Sequence, residues 1–280
     1  MSWLKIAVVG GVNLDVLGVP SGEFKMRDSN IGTVRFSCGG VGHNIAGRIV
    51  RTGADVSLFT VFGNDSNAEW LKQQCLGEGI RIDHSVTVAE PSSVYLAIHG
   101  EDGDMLSAVN DMHLLDSFTP ELVDQMLSSI DQSDACAVDA NLPEQTLVRL
   151  AEKADVPLVC DPVSTVKAAR IFPILPRLAA LKPNLLEARA LTGCVSPEDC
   201  AAHLLGSGVK SVFISLGKEG LYFADEKERG YLFPSTVTLR PQTGAGDALT
   251  AGITAGVALH EPVRECAIFG MEMAARFFKI

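Results

Sequence analysis

Apolar runs of strand length alternate with amphipathic segments along most of this 280-residue chain. "LKIAVVG" leads to "GHNIAGRIVRTG", "DVSLFTVFG" to "AEWLKQQCLGEG", "DACAVDA" to "PEQTLVRLAEKA" and "PLVCDP" to "STVKAARIF". The first member of each pair has the unbroken apolar character of a strand buried on both faces. The second has the spacing of a helix with one apolar side. The series continues through "LAALKPN", "LLEARALTG" and "VKSVFISLG". Each crossover helix must bury its apolar stripe on the sheet, so the pattern predicts an α/β fold: a mainly parallel central sheet with helices on both faces. Ligands on such sheets bind at the carboxyl ends of the strands.

Two segments break the alternation with half-polar, strand-like sequence where a helix is due. They are residues 16–37 and "SSVYLAIHGEDGDMLSAVND", residues 92–111. The second reads as a hairpin turning at Gly100 to Gly103. Together they form either a small antiparallel flap, a lid over the strand ends, or two unrelated surface excursions, on a single domain spanning 1–280.

Composition narrows the function. A net charge of -11 argues against a nucleic-acid backbone or an anionic membrane surface as partner. No stretch approaches the roughly 20 apolar residues of a membrane span, and the opening "MSWLKIAVVGG" lacks the pattern of a secretion signal. A cytoplasmic location is therefore expected. The seven cysteines (Cys38, Cys75, Cys136, Cys160, Cys194, Cys200 and Cys266) include no C-x-x-C pair and no paired Cys/His spacing, and read as reduced, mostly buried thiols.

Five stretches could carry chemistry, and each has a plain structural alternative. In "TGAGDALTAG", glycines open a helix whose free N–H groups suit a phosphate, and Asp247 is either a cap or a proton acceptor. "CGGVGHNIAGRIVRTG" again leads glycines into a helix. Gly40 lets backbone approach a ligand and Asn44 can read hydroxyl groups, or the turn only packs the helix. Asp15 in "GGVNLDVLG" suits a grip on sugar hydroxyls or an Asx-turn. Asn184 and Glu187 in "LKPNLLEARALTG" share a helical face, and either hold a hydrated magnesium ion or begin the helix. The turn Ser215 to Gly220 in "FISLGKEGLYF" approaches a nucleotide or is a simple hairpin.

Taken in order, these stretches make the chain resemble the ribokinase-like, or PfkB-type, carbohydrate kinases from about Ile6 to about Ala275. The resemblance implies a three-layer α/β/α sandwich with a lid, ATP and Mg²⁺ as cofactors, and a small-molecule sugar or nucleoside as acceptor. It implies that Asp247 is the catalytic base and that Gly244, Ala245 and Gly246 form an anion hole, with Thr243 beside the ATP phosphates. Asn184 and Glu187 would organise magnesium, in part through water. Ser215, Gly217 and Gly220 would form the ATP loop, and Asp15, Gly40 and Asn44 would bind the acceptor.

Within the family, "GGVNLDV", "SNIGTVRFSCGGVGHNIA", "AVNDM", "DANLPE" and "CDPVSTVKA" are most similar to the pseudouridine kinases. That likeness implies phosphoryl transfer to a nucleoside 5'-hydroxyl, with Asn110, Asp139 and Asn141 facing the sugar or base. A homodimer through the lid and a glycosidase acting on pseudouridine phosphate are the partners it implies. Other acceptors in the family are ribose, fructose and purine nucleosides, and a non-catalytic binder is the reading from another class. A dinucleotide-dependent oxidoreductase is disfavoured, because "GGVNLD" stands where G-x-G-x-x-G would follow the first strand. Several relatives carry an acidic residue six positions before the base, tied to a monovalent cation, and Pro241 stands there instead. "MEMAARFFKI" ends inside a helical pattern where relatives usually run on, so a less enclosed adenine side is expected.

Overall fold

The computed structural model describes residues 4–100, 103–234 and 244–277. Its strands are β1 (Lys5–Val9), β2 (Asn13–Pro20), β3 (Gly32–Gly39), β4 (Asp55–Phe59), β5 (Val61–Phe62), β6 (Val86–Thr87), β7 (Val94–His99), β8 (Met105–Asp111), β9 (Ala135–Asp139), β10 (Leu158–Asp161), β11 (Leu178–Leu181), β12 (Val212–Ser215), β13 (Leu221–Ala224) and β14 (Arg229–Leu232). Its helices are α1 (Val41–Val50), α2 (Ser66–Gly77), α3 (Pro120–Ile130), α4 (Glu144–Lys153), α5 (Leu185–Thr192), α6 (Pro197–Gly206), α7 (Ala245–Ala258) and α8 (Val263–Phe277).

The main sheet has eight strands in the order β14-β13-β12-β11-β10-β9-β1-β4. From β4 to β12 the pairings are parallel, and β13 and β14 add an antiparallel edge. Period-two alternation sends side chains to both faces. In β1, Ile6 and Val8 pack with Ile45, Ile49 and Leu58 on one side, while Ala7 and Val9 join Phe118, Leu147 and Ile171 on the other. Under α7 and α8, Phe213 and Phe223 pack against Leu249 and Ile253. Phe213 is fully buried, and its truncation to alanine is worth about 3–5 kcal/mol.

One expected helix differs. "STVKAARIF" leads into a 3₁₀ run, Lys167–Arg177, that contains Pro173 and Pro176. Proline lacks the N–H and clashes with the preceding turn, so the segment tightens instead of continuing as an α-helix.

A second sheet, in the order β3-β2-β7-β8, rises beside the strand ends. β2 pairs antiparallel with β3 and parallel with β7, and β7 returns as β8 through the turn at Gly100 and Gly103. Register aligns Ser37, Asp15, Tyr95 and Asn110 in one row, and Phe36, Val16, Leu96 and Val109 in the next. Adjacent rows face opposite sides of a sheet, so this lid has one polar and one apolar face here.

Candidate active site

Parallel strands bring their carboxyl ends to one edge, and the loops leaving that edge carry nearly all the polar candidates. β9 and β10 end side by side, with Asp139 in register with Asp161. β11 runs into Lys182, whose N–H donates to Cys160 carbonyl oxygen at 3.0 Å, and β12 ends at Ser215, bridged to Asn184.

Two glycine-led helices close the edge from above. Gly244 precedes α7 with φ 101°, a left-handed conformation costly for any other residue, and no side chain caps the helix. The N–H groups of Ala245, Gly246 and Asp247 therefore have no partner within the helix, an arrangement that suits an anion. Asp247 is the third residue of α7. Its Oδ2 accepts from Asn44 Nδ2 at 2.8 Å, so it is engaged by a neighbouring helix and is not a cap. Gly40 opens α1 in the same way, with φ 98°.

Burial raises the Asp247 carboxyl to about 6, with the Asp161 charge adding to the rise and the Asn44 hydrogen bond and Lys182 opposing it. Asp161 and Lys182 form a buried ion pair at 2.9 Å. Thr250 donates to the same Asp161 oxygen at 2.7 Å, and Val163 N–H donates to the other at 2.9 Å. The ammonium of Lys182 lies close to the anion site, because a Cβ on Gly246 would stand 3.3 Å from Nζ. Asp161, Thr250 and Lys182 were not among the sequence candidates. The available signal was a lysine ending the apolar strand "LAALKPN" and an aspartate ending "PLVCDP".

Asn184 and Glu187 form a capping box. Asn184 Oδ1 accepts from Glu187 N–H at 2.9 Å, and Glu187 Oε2 accepts from Asn184 N–H at 2.8 Å. Asn184 Nδ2 also donates to Glu187 Oε1 at 2.8 Å. Glu187 is only 4% exposed, yet it lines the cleft, and burial raises its carboxyl while Lys182 opposes the rise. Each carboxylate oxygen keeps a lone-pair direction beyond these bonds. An all-oxygen set with one carboxylate fits a magnesium ion that retains several waters.

These groups share a cleft of about 930 Å³ with Ser215, Gly217, Gly220, Gly244, Ala245 and Gly246, walled on its apolar side by Leu249, Ile268 and Met271. Gly217 and Gly220 take positive φ values of 61° and 102° around a one-turn 3₁₀ segment, and Leu216 N–H closes it on the Gly220 carbonyl oxygen at 2.8 Å. Thr243 and Pro241 lie outside the described residues.

On the lid side, Asp15 Oδ1 accepts from Asn13 Nδ2 at 2.5 Å, and its carboxyl is raised by burial, with that bond opposing. Its other oxygen lies where a side chain on Gly39 would be, since a Cβ there would stand 2.2 Å from Oδ2. Asn110 is exposed in the same row of the lid. Asn141 accepts from Lys167 Nζ at 2.6 Å. Asp139 is 1% exposed, and its oxygens accept from Gly11 N–H and Asn141 N–H, both at 2.9 Å. A carboxylate held this way positions the Gly10–Gly11 loop.

A family model described as "pfkB family carbohydrate kinase" matches residues 4–277. The chain belongs to the pfkB family of carbohydrate kinases. It is an ATP-dependent sugar/nucleoside kinase with the ribokinase-like α/β fold. It is 32% identical to a pseudouridine kinase of Escherichia coli (strain K12) over 92% of this chain and 87% of that one. A solved carbohydrate kinase from Agrobacterium tumefaciens superposes with a TM-score of 0.87 at 30% identity, covering 97% of this chain and 90% of that one. The fold is also that of a ribokinase from Thermotoga maritima, with a TM-score of 0.89 at 23% identity over 99% and 94% of the two chains. Among the described residues, no helix of this kinase is long and apolar enough to cross a membrane.

Proposed function

We propose that this kinase moves the γ-phosphoryl group of ATP to the 5'-hydroxyl of a nucleoside, with pseudouridine as the acceptor. The observation that carries the reading is Asp247: a carboxyl raised to about 6, at the mouth of α7, hydrogen-bonded to Asn44 on the acceptor side. A base near that value is mostly ionised at neutral pH and still takes a proton readily. Asp247 accepts the hydroxyl proton as the oxygen attacks in line. The N–H groups of Ala245 and Gly246 and the ammonium of Lys182 stabilise charge on the phosphoryl oxygens. Glu187 and Asn184 would hold magnesium largely through its waters, and the ion would supply charge neutralisation of the phosphates.

Asp15, Gly40 and Asn44 receive the acceptor, with Asn110 reaching down from the lid and Asn141 from the end of β9. Ser215, Gly217 and Gly220 border the nucleotide. We read residues 1–280 as one kinase domain whose lid excludes water, the competing acceptor. Similarity to the E. coli pseudouridine kinase supports the choice of nucleoside, and a glycosidase acting on the product is the corresponding pathway neighbour. A second copy of this chain is the partner we assign to the apolar lid face, where Val34, Phe36 and Val109 are all more than 60% exposed.

The test is ADP release across a panel of pseudouridine, uridine, cytidine, purine nucleosides, ribose and fructose. The highest kcat/KM is expected for pseudouridine. A clear preference for ribose over every nucleoside would overturn the nucleoside assignment and leave the kinase chemistry standing.

A further inference from the structure

Behind the acceptor side of the cleft, three soft donors converge from three elements. Cys38 is near the end of β3, His43 is in the first turn of α1 and Cys75 is near the end of α2. One ligand atom from each lies within 4.8 Å of the other two. Cys75 is fully buried, His43 is 4% exposed, and Cys38 is half-buried.

The imidazole has one nitrogen engaged and one available. Nδ1 faces Asn44 Oδ1 at 3.4 Å. Nε2 is buried with no hydrogen-bond partner among the described residues, and stands 3.5 Å from Glu78 Oε1. Protonated, the ring is partnered at Nε2 by the Glu78 carboxylate; neutral with Nε2 unprotonated, its buried lone pair is costly unless something occupies it. Glu78 reaches this point along α1 because residue 47 is glycine: a Cβ there would stand 2.7 Å from Oε2.

We propose that Cys38 Sγ, Cys75 Sγ, His43 Nε2 and the Glu78 carboxylate form a zinc site. Two thiolates, one imidazole and one carboxylate are the borderline-soft donor set that zinc prefers over magnesium or calcium. Tetrahedral zinc with bonds of about 2.0–2.3 Å needs donors roughly 3.3–3.8 Å apart. The two sulfurs and the imidazole nitrogen, within 4.8 Å of one another, close to that with shifts of about 1 Å, and Glu78, whose Oε1 stands 3.5 Å from Nε2, turns in as the fourth donor. Binding releases the two thiol protons to solvent and leaves the imidazole neutral.

Four protein ligands leave no open position, so the ion acts structurally. It ties the root of lid strand β3 to α1 and α2, and holds the backbone from Gly39 to Asn44 that meets the acceptor. The site is separate from Asn184 and Glu187 and does not depend on which acceptor the kinase uses.

The experiment is titration of the reduced full-length protein with Co²⁺ alone, followed by Zn²⁺. One Co²⁺ per chain with thiolate-to-cobalt charge-transfer absorption is expected, displaced stoichiometrically by Zn²⁺, which also raises Tm. Cobalt bound at the oxygen-only magnesium site lacks that absorption, so the two are distinguished. Cys75→Ser abolishes the band. Because that residue is buried, Glu78→Gln serves as the variant that keeps the fold, and its Zn²⁺ affinity should fall roughly tenfold or more. No charge-transfer band in the wild type, a band that survives Cys75→Ser, or unchanged zinc affinity in Glu78→Gln would overturn the four-ligand site.

Discussion

Two helices in this kinase begin alike and end up with different work. α1 and α7 each follow a glycine at positive φ, 98° at Gly40 and 101° at Gly244, and neither has a side-chain cap. The first N–H groups of α7 have no partner within the helix, whereas the His43 N–H of α1 donates to the Gly11 carbonyl oxygen at 3.2 Å. The third residue separates them. In α7 it is Asp247, and in α1 it is His43, which turns back into the Cys38 and Cys75 pocket, while Asn44 after it reaches across to Asp247. Their backing differs too. α7 rests on the buried Asp161–Lys182 ion pair, and α1 rests on sulfur and imidazole. A glycine entry makes a helix mouth, and in the proposed reaction the first side chains after it set whether that mouth takes a proton or positions a hydroxyl.

The comparison breaks hardest at α7. Asp247→Asn should lower kcat by about 10²–10⁴-fold with nucleoside binding nearly unchanged, as read by steady-state turnover beside calorimetric titration. A loss under tenfold would remove Asp247 as the base. The same variant should change stability with a definite sign. A carboxyl raised to about 6 is favoured protonated in the folded state, so ionising it on going from acid through pH 6 destabilises the fold. Tm of Asp247→Asn should therefore exceed wild type at pH 8 and lose that advantage at pH 4.

Next comes the ion pair behind α7. Lys182→Met leaves Asp161 buried and unpaired, at a cost of about 3–5 kcal/mol in urea unfolding. Adding Asp161→Asn should recover part of that loss, and a double variant no better than the single would show the pair to be uncoupled.

On the α1 side the effects are smaller. Gly39→Ala places a Cβ against the Asp15 carboxylate and should raise acceptor KM by roughly tenfold, leaving the KM for ATP unchanged. An equal rise in both would mean the change spreads beyond the lid. Smallest is a shift in the pH profile. The kcat/KM of the wild type should rise with pH through about 6 and then level off. Asn44→Ala removes the hydrogen bond that opposes the rise, so its limb should move to higher pH. A limb that stays in place would mean that Asn44 does not touch the base in the working enzyme.

Legibility in the sequence followed the range of each interaction. Strands β1, β4, β9, β10, β11 and β12 show as apolar runs because burial on both faces leaves no alternation to read. The hairpin β7–β8 shows through its glycine turn. The capping box of Asn184 and Glu187 is a three-residue spacing, legible as such, although cap and metal site look identical in one dimension. "STVKAARIF" has helical spacing, but the two prolines that tighten Lys167–Arg177 into 3₁₀ lie just beyond that stretch, at 173 and 176. Asp139 stood out as a polar residue in "DANLPE", but only the packed loop shows its carboxylate closed over two backbone N–H groups.

By itself, then, the sequence determined the layered α/β architecture, the edge at which ligands bind, and two glycine-led helix mouths with an acid in one of them. These depend on hydrophobic period and backbone freedom, which neighbouring residues specify. Tertiary structure alone decided that Asn44 meets Asp247 across 203 positions, that Lys182 pairs with Asp161, and that Cys38, His43 and Cys75 converge, with Glu78 beside His43. Charge, hydrogen bonding and metal coordination act over a few ångströms of space, and only the folded sheet brings such distant residues within that reach.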